Sequence, residues 1–375
     1  MLTASGARRP ITEPGGPTGT WSDAAIGACS WPTWSNDRRR IACFSVTRAD
    51  GLDSTVVVHD ADGVYASEVA SLDKRLPIYL SWAPDDQHLA VLTQADGRLH
   101  LSACRTDQIG PSAELAYGSP LFLSWVRPRQ HGERNALLAF TGSAVQPSRM
   151  LLLDPADASS VVVLPGVPRN FCAPLSLGRH LWYVVEDGER SAIVKVDRVG
   201  GEVTTVESID GLVSLVASPS GRYIAVARAT NGDGSPYRGL HVLDAETGAR
   251  SDVLGPPCLA FLWAPAEDAL IVAVVDTARN RLNWARVPTD GGAPDRLASI
   301  QPTRELVFYL RFFEQYAWSH PIVHPDGTHL VVGGGAPNVQ AAGDVPLLYR
   351  LPLDGDPLDE IGPGVFGVFP PYGPR

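Results

Sequence analysis

Methionine is nearly absent from this chain of 375 residues, with two, and charged side chains make up only 19% of it. Few windows are rich in Ala or Glu at a helical period, which argues against a mainly helical fold. Basic residues are the minority: 31 Lys and Arg stand against 41 Asp and Glu, a net charge of −10, and the one basic run, Arg38 to Arg40, falls in an expected hairpin. Without a basic field to gather phosphates, nucleic-acid binding is disfavoured. No stretch reaches the length of an apolar membrane span, and the opening "MLTASGARRPITEPGGPTGT" has no secretory apolar core. The expectation is a soluble, cytoplasmic chain that engages no membrane.

Cysteine is also sparse. Cys29, Cys43, Cys104, Cys172 and Cys258 are odd in number, widely spaced and without a C-x-x-C pair. Neither a disulfide framework nor a zinc knuckle is indicated, and each is read as an isolated buried thiol acting as a small apolar side chain.

What the sequence has in quantity is apolar residues, 44%, punctuated by 36 Gly and 32 Pro. Turn formers recurring between short apolar runs describe many strands. Four of these runs share one pattern of strand, Pro turn and strand: "LSWAPDDQHLAVL" at 80–92, "VASPSGRYIAVA" at 216–227, "FLWAPAEDALIVAVV" at 261–275 and "IVHPDGTHLVVGG" at 322–334. Weaker copies lie at 32–46, 123–140 and 173–185. Using the proline as a ruler, Pro84 to Pro128 is 44 residues, then 46 to Pro174, 45 to Pro219 and 46 to Pro265. The step to Pro325 is 60, so it holds an insertion.

Each copy continues into a third strand, such as "STVVVHDADG" at 54–63, and a short fourth. A period near 45 with four strands per unit is the pattern of propeller blades. The fold class is all-β, a β-propeller of seven four-stranded blades, or six if the first or fourth copy is misread. The expected organisation is a flexible segment at 1–22, one propeller domain at 23–362 and a Gly/Pro-rich tail at 363–375 that docks on its own propeller. The "SWAPDD", "ASPSG" and "HPDG" turns resemble the repeat of TolB-type propellers, also seen in prolyl-oligopeptidase-like proteins. The resemblance covers roughly residues 30–360 and implies the fold alone, since the chain carries no G-x-S-x-G elbow of the hydrolase branch.

Propellers bind at the mouth of the central channel, where the innermost strands present their side chains. Aligned on the turns, Tyr79 corresponds to Trp31, Phe122, Phe171, Ser214, Ala260 and His320. Blade starts add Arg75, Arg169, Asn170 and Asp210; the two arginines either grip an anion or pair with acids such as Asp73 or Asp210. The insertion, "PTRELVFYLRFFEQYAWSH", is unusually aromatic and forms either a short helix, with Leu306, Tyr309, Leu310 and Phe313 on one face, or a longer fourth strand.

Two readings follow. In the first the chain is a scaffold binding a small molecule or protein, with Arg311, Phe312, Trp318, Arg169, Asn170, Tyr79, Arg75 and Asp210 as ligand contacts. In the second it is an enzyme of small-molecule metabolism, with His320 as general acid/base, Glu314 to orient it and Tyr316 to assist. No cofactor is implied and no metal is expected; His320 and His324 form only a weak alternative pair, more than 10 Å apart if both lie on a straight strand. A monomer is expected. The turn acids Asp85, Asp86, Asp244, Asp290, Asp326 and Asp354 are read as binding local backbone, and "NGDG" at 231–234 as a hairpin tip.

Overall fold

The computed structural model describes residues 28–46, 54–63, 66–72, 74–110, 113–128, 133–143, 147–169, 172–229, 236–335 and 346–372. The expected N-terminal segment, Asp73, Asn170, Phe171 and the 231–234 tip lie outside them. The chain divides into two compact units, Met1–Asn170 with Phe369–Pro374, and Phe171–Val368.

The first unit holds three four-stranded antiparallel sheets. They are β1 (Ala28–Trp34), β2 (Arg40–Val46), β3 (Ser54–Asp60) and β4 (Ala66–Ser71); β5 (Leu76–Trp82), β6 (His88–Ala95), β7 (Arg98–Arg105) and β8 (Ala113–Gly118); and β9 (Leu121–Val126), β10 (Ala136–Thr141), β11 (Arg149–Asp154) and β12 (Asp157–Val163). Each meanders from strand to neighbouring strand. Alternation buries one side of β2 and β3, Ala42, Phe44, Val56 and Val58, against Leu80, Trp82, Leu89 and Val91 of the next sheet. Apolar burial between successive sheets is what a repeat of this kind must achieve.

Polar contacts repeat along with the packing. Trp82 Nε1 donates to Thr33 O at 3.0 Å and Trp125 Nε1 to Ser81 O at 3.2 Å, each reaching from one sheet to the first strand of the sheet before it. Asp86 works the same way. It accepts from Asn36 N and Asn36 Nδ2, both 2.7 Å, and from Asp37 N at 2.9 Å. This corrects the local-turn reading of Asp86, although Asp85, Asp244, Asp290, Asp326 and Asp354 do bind backbone two residues on. Cysteine needs a second correction: Cys29 and Cys43 are disulfide-bonded, with Cα atoms 5.7 Å apart across β1 and β2. Sequence spacing hides this because the partners meet through strand register. Cys104, Cys172 and Cys258 are buried thiols as expected.

The second unit holds β13 (Leu175–Leu177), β14 (His180–Asp187), β15 (Arg190–Asp197) and β16 (Val203–Asp210); then β17 (Leu212–Ala217), β18 (Tyr223–Ala229), β19 (Tyr237–Asp244) and β20 (Arg250–Asp252). A seven-stranded sheet follows: β21 (Ala260–Trp263), β22 (Ala269–Asp276), β23 (Arg281–Pro288), β24 (Asp295–Pro302), β25 (His329–Gly335), β26 (Leu347–Pro352) and β27 (Asp359–Pro363). Trp263 Nε1 donates to Val216 O at 2.9 Å, repeating the tryptophan contact of the first unit. The sixth and seventh sequence copies thus share one sheet, because Gln301 and Pro302 of β24 pair with Gly335 and Gly334 of β25. The first strand of the last copy is reduced to an isolated bridge, Val323 to Leu330, with Pro321 and Pro325 on either side withholding backbone donors. Between β24 and β25 stand two helices, α1 (Arg304–Arg311) and α2 (Phe313–Tyr316), so the insertion is helical rather than a longer strand.

In the C-terminal segment, Val368 and Phe369 are buried, and Arg38 donates to the Pro371 carbonyl at 3.1 Å within the first unit.

Candidate functional site: a helix pair over the inner strands

The chain turns out of β24 at Thr303, whose hydroxyl caps α1 by accepting from Leu306 N at 3.2 Å and donates to Val365 O at 2.7 Å. Glu305 in the first turn and Arg311 in the last complement the helix dipole. Leu306, Tyr309 and Leu310 are buried on one face. The opposite stripe, Arg304, Phe308 and Arg311, is exposed at the i, i+4, i+7 spacing of a helix face. Phe312, half-buried, breaks the helix with φ −122° and ψ 28° and lays its ring 5.0 Å from that of Phe308.

All four residues of α2 are buried, and α2 packs on β17 and β21, the first strands of two successive sheets. Phe313 sits edge-on to Tyr237 at 5.7 Å and Phe261 at 4.8 Å. Tyr316 meets Tyr309 at 5.9 Å and His320 at 5.1 Å.

Glu314 carries the chemistry of this cluster. Its Oε2 accepts from Ala173 N at 3.0 Å and its Oε1 from the Tyr237 hydroxyl at 3.4 Å. The Cys172 thiol, which donates to Ala173 O at 3.7 Å, and the Ser214 hydroxyl both favour the charged form without a full hydrogen bond to the carboxylate. Burial nevertheless dominates and pushes Glu314 up to about 7. Burial, and then the charge of Glu314, also push the Cys172 thiol and the Tyr237 phenol well above their ordinary values. Neither group is poised as a nucleophile at neutral pH.

Strand pairing identifies which positions of the first strands are equivalent. Tyr79 pairs with Leu92, Phe122 with Phe140, Ser214 with Ala227 and Ala260 with Ala273, all equivalent places. In β13 and β14, Leu177 faces His180, which brings Ala173 to this place rather than Phe171. In β1, Ser30 pairs with Phe44 while Trp31 is the extra residue of a bulge at φ 50°. The two slips differ in cause: the bulge displaces Trp31, while Pro174 precedes its strand where Pro84, Pro219 and Pro265 follow theirs, so the proline ruler misplaces that copy. Glu314 therefore binds at one equivalent position, Ala173, and its charge is favoured by Ser214 at the next.

The remaining expected site residues fall in both units. His320 is 0% exposed, its Nδ1 2.8 Å from Ser319 Oγ, while Glu314 points to Ala173 and Tyr237. Tyr316 and Tyr79 are buried, and Trp318 packs half-buried against the core of β13 to β18. Arg75 pairs with Glu114 at 2.8 Å and Asp210 with Arg190 at 2.9 Å. Arg169 is half-buried at the end of the first unit. Among the described residues, the groups of possible metal ligands are Cys29, Cys43 and His59, and His324, Asp326 and His329; neither includes His320. Sequence reading missed Cys172 and Tyr237. Both stand beside ring positions, but their meeting with Glu314 spans 142 and 77 residues (314 − 172 and 314 − 237), beyond any local pattern.

No family model matches the chain, and no curated protein matches it in sequence. Among solved structures it resembles a prolyl endopeptidase, at 8% identity over 93% of this chain and 51% of that one, with a TM-score of 0.55. It also resembles an oligogalacturonate lyase in complex with manganese, at 14% identity over 89% and 95% of the two chains, TM-score 0.54. TolB from Acinetobacter baumannii is similar over 69% of this chain and 63% of that one, at 18% identity and a TM-score of 0.45. The chain thus spans about half the length of the endopeptidase and under two thirds of TolB. All three are β-propeller proteins, and at such identities the likeness, carried by the first two, is one of fold. The resemblance read from the turn motifs is matched at that level, and among the described residues no helix is long and apolar enough to cross a membrane.

Proposed function

We propose that the chain is a binding scaffold, a β-propeller of seven four-stranded blades that takes a small-molecule or protein ligand on the face carrying α1 and α2. The observation that supports this reading most is the outward stripe of α1. A solvent-facing helix stripe is ordinarily polar, whereas this one sets Phe308, 37% exposed, between two guanidinium groups and stacks it on Phe312. The buried Leu306, Tyr309, Leu310, Phe313 and Glu314 hold that stripe in a fixed position. A rigid aromatic anchor beside arginine is the composition of binding hot spots. In a chain of net charge −10, this local cationic stripe suits a ligand with an apolar body and carboxylates.

The test is a panel of acidic aromatic small molecules and acidic peptides screened against wild type and Phe308→Ser/Arg311→Glu. Binders weakened at least tenfold by the variant, with its melting temperature retained, support the reading. Binders indifferent to the variant sink it.

The enzymatic reading draws on one observation, the Glu314 carboxyl brought near neutrality. Its oxygens are spent on Ala173 and Tyr237, the bonding of an anchor, and His320 is sealed from solvent. Scaffold is the simpler assignment. The cytoplasmic setting expected from sequence is set against the Cys29–Cys43 bond, which belongs to oxidising compartments; a thiol count on freshly isolated protein decides between them.

A further inference from the structure

We propose that His324, Asp326 and His329 form a binding site for one divalent transition-metal ion of the zinc, nickel and copper class. The three residues occupy a single tight hairpin in the last sequence copy. His324 N donates to His329 O at 2.8 Å, and Gly327 N to His324 O at 2.9 Å, with Gly327 at φ 75° making the turn. This pairing sets the two imidazoles across from one another, ring centroids 4.6 Å apart and 18° from parallel. Asp326, at the tip, brings Oδ1 to 2.6 Å from His324 Nδ1 and donates its backbone N–H toward the same nitrogen at 3.3 Å.

One donor atom from each residue lies within 4.8 Å of the others. Metal–nitrogen and metal–oxygen bonds of about 2.0 to 2.2 Å need donors drawn only slightly closer, which side-chain rotation supplies. The Thr328 hydroxyl, held by Asp326 Oδ1 at 2.7 Å, lies 2.6 Å from His329 Nδ1. An oxygen on one ring nitrogen is the support that metal-bound imidazoles usually carry on the nitrogen that does not ligate. Two imidazoles and one carboxylate suit borderline ions better than magnesium or calcium. His324 and Asp326 have side chains 33% and 51% exposed, so water completes the shell from solvent. Arg350 on β26 opposes a cation, but Asp359 pairs with it at 3.0 Å.

The test is calorimetric titration of full-length protein, free of any polyhistidine tag and stripped with chelator, with Zn2+ and with Ni2+. One ion per chain is expected, with at least tenfold weakening in both His324→Ala and His329→Ala and a smaller loss in Asp326→Asn. Melting curves without metal establish that each variant is folded, and the exposed His324 and Asp326 decide the matter if His329→Ala is not. A Cu2+ spectrum showing hyperfine coupling to two nitrogens is a second readout. Undiminished stoichiometric binding in His324→Ala/His329→Ala, binding lost only with His59→Ala, or no saturable binding by wild type would each overturn the assignment.

Discussion

Glu314 is the residue whose environment has most to reveal. Its folded value of about 7 lies above the ordinary 4.5, so the folded state holds the proton more tightly than the unfolded one. Its contribution is therefore complete below pH 4.5 and is lost as pH rises to about 7, by about 3 kcal/mol in total. Glu314→Gln keeps the acceptor for Ala173 and removes the titration, so urea midpoints between pH 4.5 and 7 should lose that slope. An unchanged slope would mean that another group causes it. Cys29 and Cys43 invite a second measurement. Their closed loop, with a sequence separation of 14, should stabilise the fold by about 3 kcal/mol. Cys29→Ala/Cys43→Ala should lower the denaturation midpoint by that much, and reduction should do nothing further to the variant.

At the scale of elements, the α1–α2 insertion shows what was legible and what was not. The apolar face of Leu306, Tyr309, Leu310 and Phe313 could be read from spacing alone, and all four are buried. Spacing left the choice between helix and strand open. The cap at Thr303 decides it, and that cap depends on a distant backbone. Gly333 on β25 leaves room for it: a Cβ there would stand 2.2 Å from Val365 O and 3.0 Å from Thr303 Oγ1. Gly333→Ala should displace Thr303 and cost about 2 kcal/mol or more, seen as a lower melting temperature. The tryptophan contacts are a second element-scale device. Trp263→Phe deletes the bond to Val216 O, and a loss of about 1 to 3 kcal/mol is expected from the hydrogen bond and the lost volume. Glu314 was legible as a candidate but not its partners, because Cys172, Ala173 and Tyr237 reach it only through tertiary packing.

For the whole molecule, the repeat of strand, turn and strand was open to reading because every copy solves the same burial problem with the same residues. Five four-stranded sheets hold the first five copies, the ruler misplacing the first strand of the fourth, and the sixth and seventh copies run together through β24 and β25. That join follows from the insertion, which takes up the chain before the last copy and leaves its first strand as one bridge. The account makes α1 and α2 a fixed part of the scaffold rather than a mobile loop, with Glu314 as the fastening. Hydrogen exchange of the amides at 306–317 measures this directly. The account predicts protection comparable with β17 and β21 in wild type, lost at 306–317 in Glu314→Ala while those strands stay protected. Rapid exchange of 306–317 in wild type would contradict it.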